Sequence, residues 1–298
     1  MKRLLAFAAV IVMAVVALGL WVSIARTQTK VLISTDGSDP ATWDKKLDGP
    51  IAASGNHKVI FENNNIRVQS VTVPPGTEEP YHLHPYYSIL VVDSTPSKTV
   101  DRDSKGNVIK TPVVVAQAKT FPVIFVQPPQ APHSVRNEDT AVPVHLIRVE
   151  FKKGVPQLLA YPRMGPISTQ GPLPISTNGT DPKTWDPKNA SAIAAPGNHK
   201  IIFENDNLRV IAVTIPAGTT EPQHDHPFYS LMMMDSDARA VDHDLTGKVV
   251  TTPRSGARRQ IPFAFLQPPQ ALHAVQDLDT QKDAHLIRIE FKKGFKQL

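Results

Sequence analysis

Hydrophobic and polar residues alternate along this chain in short runs, and most runs end at a turn. The run Ile66–Val73 is rich in β-branched residues and stops at Pro74-Pro75-Gly76. Similar runs occupy positions 86–92, 99–103, 108–111, 121–126 and 144–151. Alternation with a period of two, bounded by proline and glycine, predicts antiparallel strands joined by turns. Beyond residue 25 no helical period stands out, so the expected fold is all-β, as a sandwich, barrel or jelly roll.

The first 25 residues follow a different pattern. Lys2 and Arg3 precede an apolar run from Leu4 to Ile24, which is the layout of a secretory signal with cleavage after Ala25. The run is also long enough to span a bilayer, so a cleaved signal peptide and an N-terminal membrane anchor both remain open. In either case we expect an exported protein, periplasmic or extracellular, that meets a membrane only through this segment.

The sequence after this leader contains an internal repeat, with two similar copies in tandem. GNHK at 55–58 returns at 197–200, and QPPQA at 127–131 returns at 267–271. A repeat of about 140 residues has the size of a domain and indicates a tandem duplication. We expect the two domains to pair within the chain. The predicted segments are a first domain at 31–153, a proline-rich linker at 154–174 and a second domain at 175–298.

Composition removes several classes of function. The chain has no cysteine, which excludes a disulfide scaffold, a thiol nucleophile and an iron–sulfur cluster. Its 28 prolines argue against a helical bundle. The net charge of +5 is spread along the chain rather than clustered, so no nucleic-acid partner is predicted.

Histidines carry the candidate chemistry. Residues two apart on a strand face the same side, so the imidazoles of His82 and His84 converge and suit two ligands of one metal ion. His224 and His226 repeat this pair in the second copy, with a different residue between them. A third ligand is predicted from His133 and His273, which follow Pro-Pro-Gln turns in the two copies.

These spacings resemble the motifs of the cupin superfamily. Its first motif places His-x-His a few residues after a glycine, and its second places a histidine after a proline and before an asparagine. The matching positions are Gly76, His82, His84, Pro128, His133 and Asn137, then Gly218, His224, His226, Pro268, His273 and Asp277. The resemblance covers both copies and implies two tandem cupin-type jelly-roll β-barrels, each holding its metal inside the barrel.

The sequence also departs from the cupin pattern. A glutamate ligand usually follows the second histidine of the first motif, but positions 85–88 and 227–230 hold no carboxylate. Three histidines would leave coordination positions open for water, substrate or dioxygen. Some cupin dioxygenases use such a triad. This implies Fe(II) as the favoured metal, with Mn, Ni, Cu or Zn as alternatives, and up to one divalent ion per domain.

Other residues that both copies share are candidates for an additional ligand or a neighbour of the ligands. These are Glu79 and Glu221, Tyr87 and Tyr229, and His145 and His285. The alternatives are solvent-facing turn residues for the glutamates and core packing for the tyrosines and histidines. His57 and His199 are interpreted as structural or surface residues. Arg148, Glu150, Arg288 and Glu290 face the side opposite the apolar one, where cross-strand salt bridges are the interpretation.

Two classes of function remain open at this stage. The first is a metal-dependent, dioxygenase-like oxidoreductase acting on a small organic molecule. The second is a non-catalytic small-ligand-binding or structural module. The sequence names no substrate and no catalytic residue.

Overall fold

A computed structural model describes residues 37–96, 98–109, 122–153, 157–158, 179–236, 238–250 and 261–293. The predicted leader, most of the predicted linker and the predicted strand ends near 111 and 121 lie outside the described residues. By contacts the chain divides into Met1–Leu32 and Ile33–Leu298, and the second unit contains both sequence copies. Within the described part, no helix has the length and apolarity needed to cross a membrane.

Strands dominate the described residues, as the alternation predicts. The first copy contains β1 (His57–Glu62), β2 (Ile66–Val73), β3 (His82–His84), β4 (Tyr87–Ser94), β5 (Thr99–Asp103), β6 (Val108–Ile109), β7 (Val123–Gln127), β8 (Gln130–Asn137) and β9 (Val144–Phe151). The short β10 (Gln157–Leu158) falls in the predicted linker. The second copy contains β11 (His199–Glu204), β12 (Leu208–Ile215), β13 (His224–His226), β14 (Ser230–Met234), β15 (Ala240–His243), β16 (Phe263–Gln267), β17 (Gln270–Asp277) and β18 (Ala284–Phe291).

Within the described residues, helical structure is limited to single turns ahead of the first strand of each copy. They comprise α1 (Gly49–Ala52), α2 (Ser191–Ala194) and the 3-10 turns Pro40–Thr42, Lys45–Leu47, Pro182–Thr184 and Pro187–Asn189. The 3-10 turns start at aspartates whose carboxylates accept backbone N–H groups, such as Asp39 and Asp181. Turns this short show no helical period in the sequence, which is why the pattern did not predict them.

Each copy folds into two antiparallel sheets. In the first copy the orders are β1-β2-β9-β4-β7 and β3-β8-β5-β6, and in the second they are β10-β16-β14-β18-β12-β11 and β13-β17-β15. Among the described pairs of strands, only that of β10 with β16 is parallel, and two isolated bridges, Asp48 with Leu83 and Ala190 with Asp225, are parallel as well. The crossing connections between two facing antiparallel sheets are those of a jelly roll, so the predicted fold class is confirmed.

The two faces of the larger sheets differ sharply. On β9, Ile147 and Val149 share one face, while Arg148 and Glu150 lie on the other. The apolar faces of the two copies pack together into one core, which includes Ile66, Val68, Ile89, Leu208, Val210, Leu231, Ile287 and Ile289. The polar faces point into the barrels. The apolar face that a single barrel would expose is therefore buried against the other copy, and this burial stabilises the pair.

Polar contacts are also made across this interface, and the two copies contribute equivalent sets of residues to them. Asn205 donates through Nδ2 to Asp93 Oδ2 at 2.9 Å, and the same Asp93 binds Nδ1 of His145. The His145 ring stacks on Phe203, with the ring centroids 5.2 Å apart. His285 repeats the arrangement with Asp235 in the second copy. His145 and His285, which the sequence includes among candidate neighbours of the metal, thus lie on the interface face of their strands.

Candidate metal centre

The histidine pair of the first copy sits on β3, behind a glycine turn. Gly76 has φ +71°, a conformation that favours glycine, and its N–H donates to Asp139 O at 2.8 Å. β3 pairs with β8, so that His82 lies opposite His133 and the ring centroids are 4.6 Å apart. His84 is 4.9 Å from His82, and all three rings are buried. The structure therefore brings the three predicted ligands of the first copy together.

His57 adds a fourth imidazole to this group. Its ring lies 4.4 Å from that of His82 and 5.0 Å from that of His84, and the residue is only 3% exposed. The nitrogens of His57, His82 and His84 form one compact group, with their candidate ligand atoms within 4.8 Å of one another. Interpreting His57 as a surface residue is therefore wrong. The only sequence signal for its position was that both copies contain it at the start of a strand.

Glu79 brings a carboxylate to the same place. Its Oε2 lies 3.1 Å from His57 Nε2, and its Oε1 lies 3.6 Å from His82 Nε2. Glu79, His82 and His133 form the second compact group of the first copy. Burial is the main cause that raises the pKa of Glu79. The alternative of a solvent-facing turn residue is therefore wrong for Glu79. We name His57, Glu79, His82, His84 and His133 the first cluster.

The outer nitrogens of these imidazoles are fixed by acceptors. Nδ1 of His82 lies 2.9 Å from Pro80 O, and Nδ1 of His133 lies 2.9 Å from Ala131 O. A carbonyl oxygen can only accept, so each Nδ1 carries the proton and each Nε2 keeps its lone pair. Nε2 of His82 is buried and makes no hydrogen bond within the described residues. The first cluster thus presents imidazole lone pairs to its own centre.

These imidazoles are neutral at pH 7. Burial lowers the pKa of His82 to about 4 and that of His57 to about 3. Burial also holds the pKa values of His84 and His133 well below the usual 6.5. The positive charge of Arg148 adds to this effect at His84. A neutral imidazole is the form that binds a metal ion.

The second copy repeats the arrangement, and we name His199, Glu221, His224, His226 and His273 the second cluster. Nε2 of His224 and Nε2 of His226 lie 3.1 Å apart. Nδ1 of His224 faces Pro222 O at 2.9 Å, and Nδ1 of His273 faces Ala271 O at 2.8 Å. The nitrogens of His199, His224 and His226 form a compact group, and the rings of His224 and His273 are 4.6 Å apart.

Burial shifts the titration of the second cluster in the same directions. It lowers the pKa of His224 to about 4, that of His273 to about 3 and that of His199 to about 2. It raises the pKa of Glu221 to about 8, and Glu221 Oε1 lies 3.6 Å from His224 Nε2. His199 and Glu221 are buried like their counterparts, so the surface and solvent-facing interpretations are wrong here too.

A series of charged side chains, which we call a relay, contacts His84, the second histidine of the first pair. Nδ1 of His84 lies 3.0 Å from Glu150 Oε1, and Glu150 also accepts from Arg67 Nε at 2.6 Å. Arg67 binds Asp48 with two further contacts of 2.8 Å. The cross-strand salt bridge of Glu150 is therefore made with Arg67, its register partner on β2, rather than with Arg148. This relay fixes the orientation of the His84 ring.

Arg148 points into the barrel beside the first cluster. It donates from Nη1 to Ser88 Oγ at 2.9 Å and from Nη2 to Gln130 Oε1. Gln130 is the register partner of His84, which places the guanidinium next to the imidazoles. The expected cross-strand salt bridge is thus found for Glu150, whereas Arg148 forms no salt bridge among the described residues. Arg288 takes the same position in the second copy and donates to Gln270 Oε1 at 2.7 Å.

The remaining candidates do not join the clusters. Tyr229 packs against the core shared by the two copies. Tyr87 precedes Ser88 on β4, and since Ser88 faces Arg148 inside the barrel, Tyr87 points to the other side of the sheet. His145 and His285 occupy the interface described above. The predicted role of these four residues as neighbours of a metal finds no counterpart in their positions.

Comparisons with known proteins were made on sequence and on structure. The sequence matches no protein-family model and no curated protein. A cupin domain from Bordetella pertussis Tohama I is 20% identical, over 33% of this chain and 92% of that one, with a TM-score of 0.26. A variant of the salicylate 1,2-dioxygenase from Pseudoaminobacter salicylatoxidans is 15% identical, over 76% and 71% of the two chains, with a TM-score of 0.24. The Mn(II)-containing oxalate decarboxylase from Bacillus subtilis is 13% identical, over 78% and 70%, with a TM-score of 0.26.

At such low identity these likenesses concern the fold alone. The class of protein follows from this chain's own strands. Each copy closes two antiparallel sheets around a histidine cluster, and the two copies pack through their apolar faces. The chain therefore folds into two cupin-type jelly-roll barrels in tandem. Its histidine clusters could each hold a metal ion.

Proposed function

We propose that this protein is a metal-dependent bicupin that binds one divalent transition metal in each barrel. The observation that carries the proposal is the convergence of imidazole nitrogens whose lone pairs have no other partner. In the second cluster, Nε2 of His224 and Nε2 of His226 lie 3.1 Å apart. His224 Nδ1 faces a carbonyl and His226 Nδ1 faces Glu290, which is flanked by arginines. Both Nε2 atoms are therefore acceptors, and two acceptors at this separation need a cation between them.

The spacing also fits a transition metal. Metal–imidazole bonds are about 2.0–2.1 Å long, so two nitrogens bound at a right angle to one ion lie about 3 Å apart. The proposed ligands are His82, His84 and His133 in the first copy and His224, His226 and His273 in the second. His57 and His199 are proposed as further imidazole ligands, because they complete the compact groups.

Imidazole with carboxylate suits Fe(II), Mn, Ni, Cu or Zn. We favour Fe(II) because a neutral histidine set leaves positions for substrate and dioxygen. When bound, such an ion would activate dioxygen or polarise a substrate oxygen. Glu221 lies beside the imidazoles with a pKa raised to about 8, so its carboxyl can hold a proton near neutral pH and exchange it with a bound molecule. Burial shifts the pKa of Glu79 in the same direction. The proposed activity is a dioxygenase-like oxidation of a small organic molecule by an exported protein.

Metal analysis of the purified full-length protein tests the binding step. Wild-type protein reconstituted with Fe(II) should hold close to two ions per chain. His82→Ala with His84→Ala should remove one, and His224→Ala with His226→Ala should remove the other. His145→Ala with His285→Ala is the matched control, since those rings lie at the interface, and it should keep both ions. Retention of two ions by all three variants would contradict the ligand assignment.

Oxygen consumption then separates the enzyme from a binding module. Reconstituted protein should consume oxygen with a member of a panel of catechols, flavonols and diketones. The variant that lacks both histidine pairs should consume none. Stoichiometric metal without oxygen uptake for any member of the panel would favour a small-ligand-binding module over the oxygenase.

A further inference from the structure

One buried charge in each barrel has too few partners. Arg288 is 2% exposed, and its one strong contact is the hydrogen bond from Nη1 to Gln270 Oε1. The sulfur of Met232 lies 3.9 Å from the same nitrogen. Nε and Nη2 make no hydrogen bond within the described residues. Glu290 Oε1 lies 3.6 Å from Nε, beyond hydrogen-bond distance, and is already held by His226.

Arg148 shows the same deficit in the first barrel. Its contacts are the neutral oxygens of Ser88 and Gln130, and its Nε makes no hydrogen bond within the described residues. The neighbouring arginine is different, because Arg67 holds carboxylates of both Asp48 and Glu150. The barrel thus pairs one buried arginine fully and leaves the other short of an anion.

The position of these arginines ties them to the clusters. Arg148 and Arg288 contact Gln130 and Gln270, the register partners of His84 and His226. The charge of Arg148 contributes to the lowered pKa values of His57 and His133, and that of Arg288 contributes at His224 and His273. A molecule held by either guanidinium therefore lies beside the imidazoles.

A buried guanidinium that no carboxylate reaches within hydrogen-bond distance is costly, because a charge taken out of water needs a compensating partner. Glu290, at 3.6 Å, compensates Arg288 only in part, because it is shared with His226 and Arg209. A divalent ion would add further positive charge. The free N–H groups of Arg288 also have a defined geometry. Nε–H and one Nη2–H point in parallel from one edge of the guanidinium, a fork that matches the two oxygens of a carboxylate.

We propose that each barrel binds a small organic carboxylate, with the carboxylate on Arg148 or Arg288 and the rest of the molecule toward the histidine cluster. The second barrel is the stronger site, because both N–H groups on that edge of Arg288 are free, whereas Nη2 of Arg148 is occupied by Gln130. This inference rests on the proposed function for the part the metal plays. The arginine contact itself does not require the metal.

Calorimetric titration of Fe(II)-reconstituted full-length protein under anaerobic conditions tests the inference. The probes are benzoate, its uncharged counterpart benzamide, and inorganic phosphate. Benzoate should bind at least tenfold more tightly than benzamide or phosphate. Arg288→Met should weaken the tighter benzoate site by about 10- to 100-fold, as expected for loss of a charge-assisted pair of hydrogen bonds. Arg288→Lys, which keeps the charge but not the fork, should fall between the two.

Controls separate this inference from the proposed function. Arg136→Met removes an arginine that is largely exposed and should bind benzoate like wild type. Metal content and thermal unfolding are measured for every variant, and Arg288→Gln replaces Arg288→Met if the latter does not fold. Loss of metal from the wild type would overturn the proposed function, while benzoate binding to the metal-free protein would still support the arginine site. Equal binding of benzoate and benzamide, tighter binding of phosphate, or an unchanged affinity in Arg288→Met would overturn the carboxylate site.

Discussion

The first and second clusters hold the same set of ligand-type side chains in different surroundings. Gln69 lies opposite Arg148 on the neighbouring strand, and the equivalent position in the second barrel is Ile211, opposite Arg288. One barrel therefore lines its guanidinium with an amide and the other with an aliphatic side chain. The chemistry at the centre is held constant while its lining changes, which is how two sites of one architecture acquire different ligand preferences.

The backbone next to the imidazoles also differs. A Cβ placed on Gly49 would lie 3.0 Å from His84 Cε1 and 3.2 Å from His57 Nδ1, and the second barrel carries Ser191 at this position. The rings of His199 and His226 are correspondingly farther apart, at 5.3 Å against 5.0 Å for His57 and His84. A single side chain thus loosens the second cluster slightly.

Acidification of the metal-free protein should cause the largest loss of stability among the changes predicted here, and both clusters should contribute to it alike. Burial lowers the pKa of His82 and of His224 to about 4, whereas an unfolded histidine titrates near 6.5. Between these pH values the unfolded chain binds more protons than the folded chain. The contribution of these histidines to the free energy of unfolding is therefore fully present above about pH 6.5 and is lost as the pH drops toward about 4. The difference for His82 alone corresponds to about 3 kcal/mol.

Glu221 acts in the opposite direction, since its pKa is raised to about 8 and its contribution is lost as the pH rises from about 4.5 to about 8. Each cluster contains one such carboxyl and four imidazoles, so the histidines determine the direction in which stability changes with pH. Urea unfolding across this pH range should show a smaller acid loss in His82→Ala/His84→Ala and in His224→Ala/His226→Ala. A wild-type stability that is flat below about pH 6.5 would count against the buried neutral imidazoles.

Removing the carboxylate behind each cluster should destabilise the two barrels by different amounts. Glu150→Gln leaves Arg67 with one carboxylate fewer in a buried site, and breaking such a pair costs about 3–5 kcal/mol. Glu290→Gln should cost clearly less, because the Arg209 side chain is 20% exposed against 9% for Arg67. Its contact with Glu290 is also longer, at 3.5 Å against 2.6 Å between Arg67 Nε and Glu150. Free energies of unfolding in urea measure both. Equal losses would show that the two relays are equivalent.

Exchanging the small residue beside the rings should change one cluster only. Gly49→Ala presses a methyl group against His84 and His57, and overpacking of this kind costs about 1–3 kcal/mol. The first cluster should then bind its metal more weakly, while the second keeps its affinity. Ser191→Gly, the reverse exchange, should leave metal binding in both clusters within about twofold of wild type. Metal titration of the two variants checks this, and a weakened second cluster in Gly49→Ala would contradict it.

Substitutions at Gln69 and Ile211, which lie opposite the buried arginines, should change the stability of the protein least. Gln69 is fully buried and its amide interacts with the His57 ring, but neither amide atom makes a well-formed hydrogen bond within the described residues. Gln69→Ile should therefore stabilise the protein by about 1 kcal/mol, and Ile211→Gln should destabilise it by a similar or larger amount. Thermal unfolding of both variants measures the difference. A loss of stability in Gln69→Ile would show that the amide has a partner when the site is loaded.

Much of the fold could be predicted from the pattern of residues. Alternation located β2, β5 and β9 at their observed bounds, and the spacing of His82 and His84 placed two imidazoles on one face of a strand. The prediction of His133 as the third ligand rests on its place after a Pro-Pro-Gln turn that both copies contain. Each of these inferences depends on local periodicity or on short spacing, which a sequence states directly.

The rest of the site could not be predicted this way. His57 comes from a separate segment, and nothing near it in the sequence says that it meets Glu79 and the other imidazoles. Arg148 and Glu150 share a face with each other, as expected, but the partner of Glu150 is Arg67 on another strand. Long-range partners of this kind follow from sheet order and register, which the alternation leaves undetermined.

The sequence by itself determined that this is an all-β chain of two matching copies, each with convergent histidines. The tertiary structure decided which face of each strand is the inside. A period of two defines two faces without saying where they point, and the apolar face of β9 would pass for the barrel interior. Because two barrels are joined in one chain, their apolar faces are buried against each other. The interiors are left to imidazole, carboxylate and guanidinium groups, which is why the buried arginines lie beside the clusters.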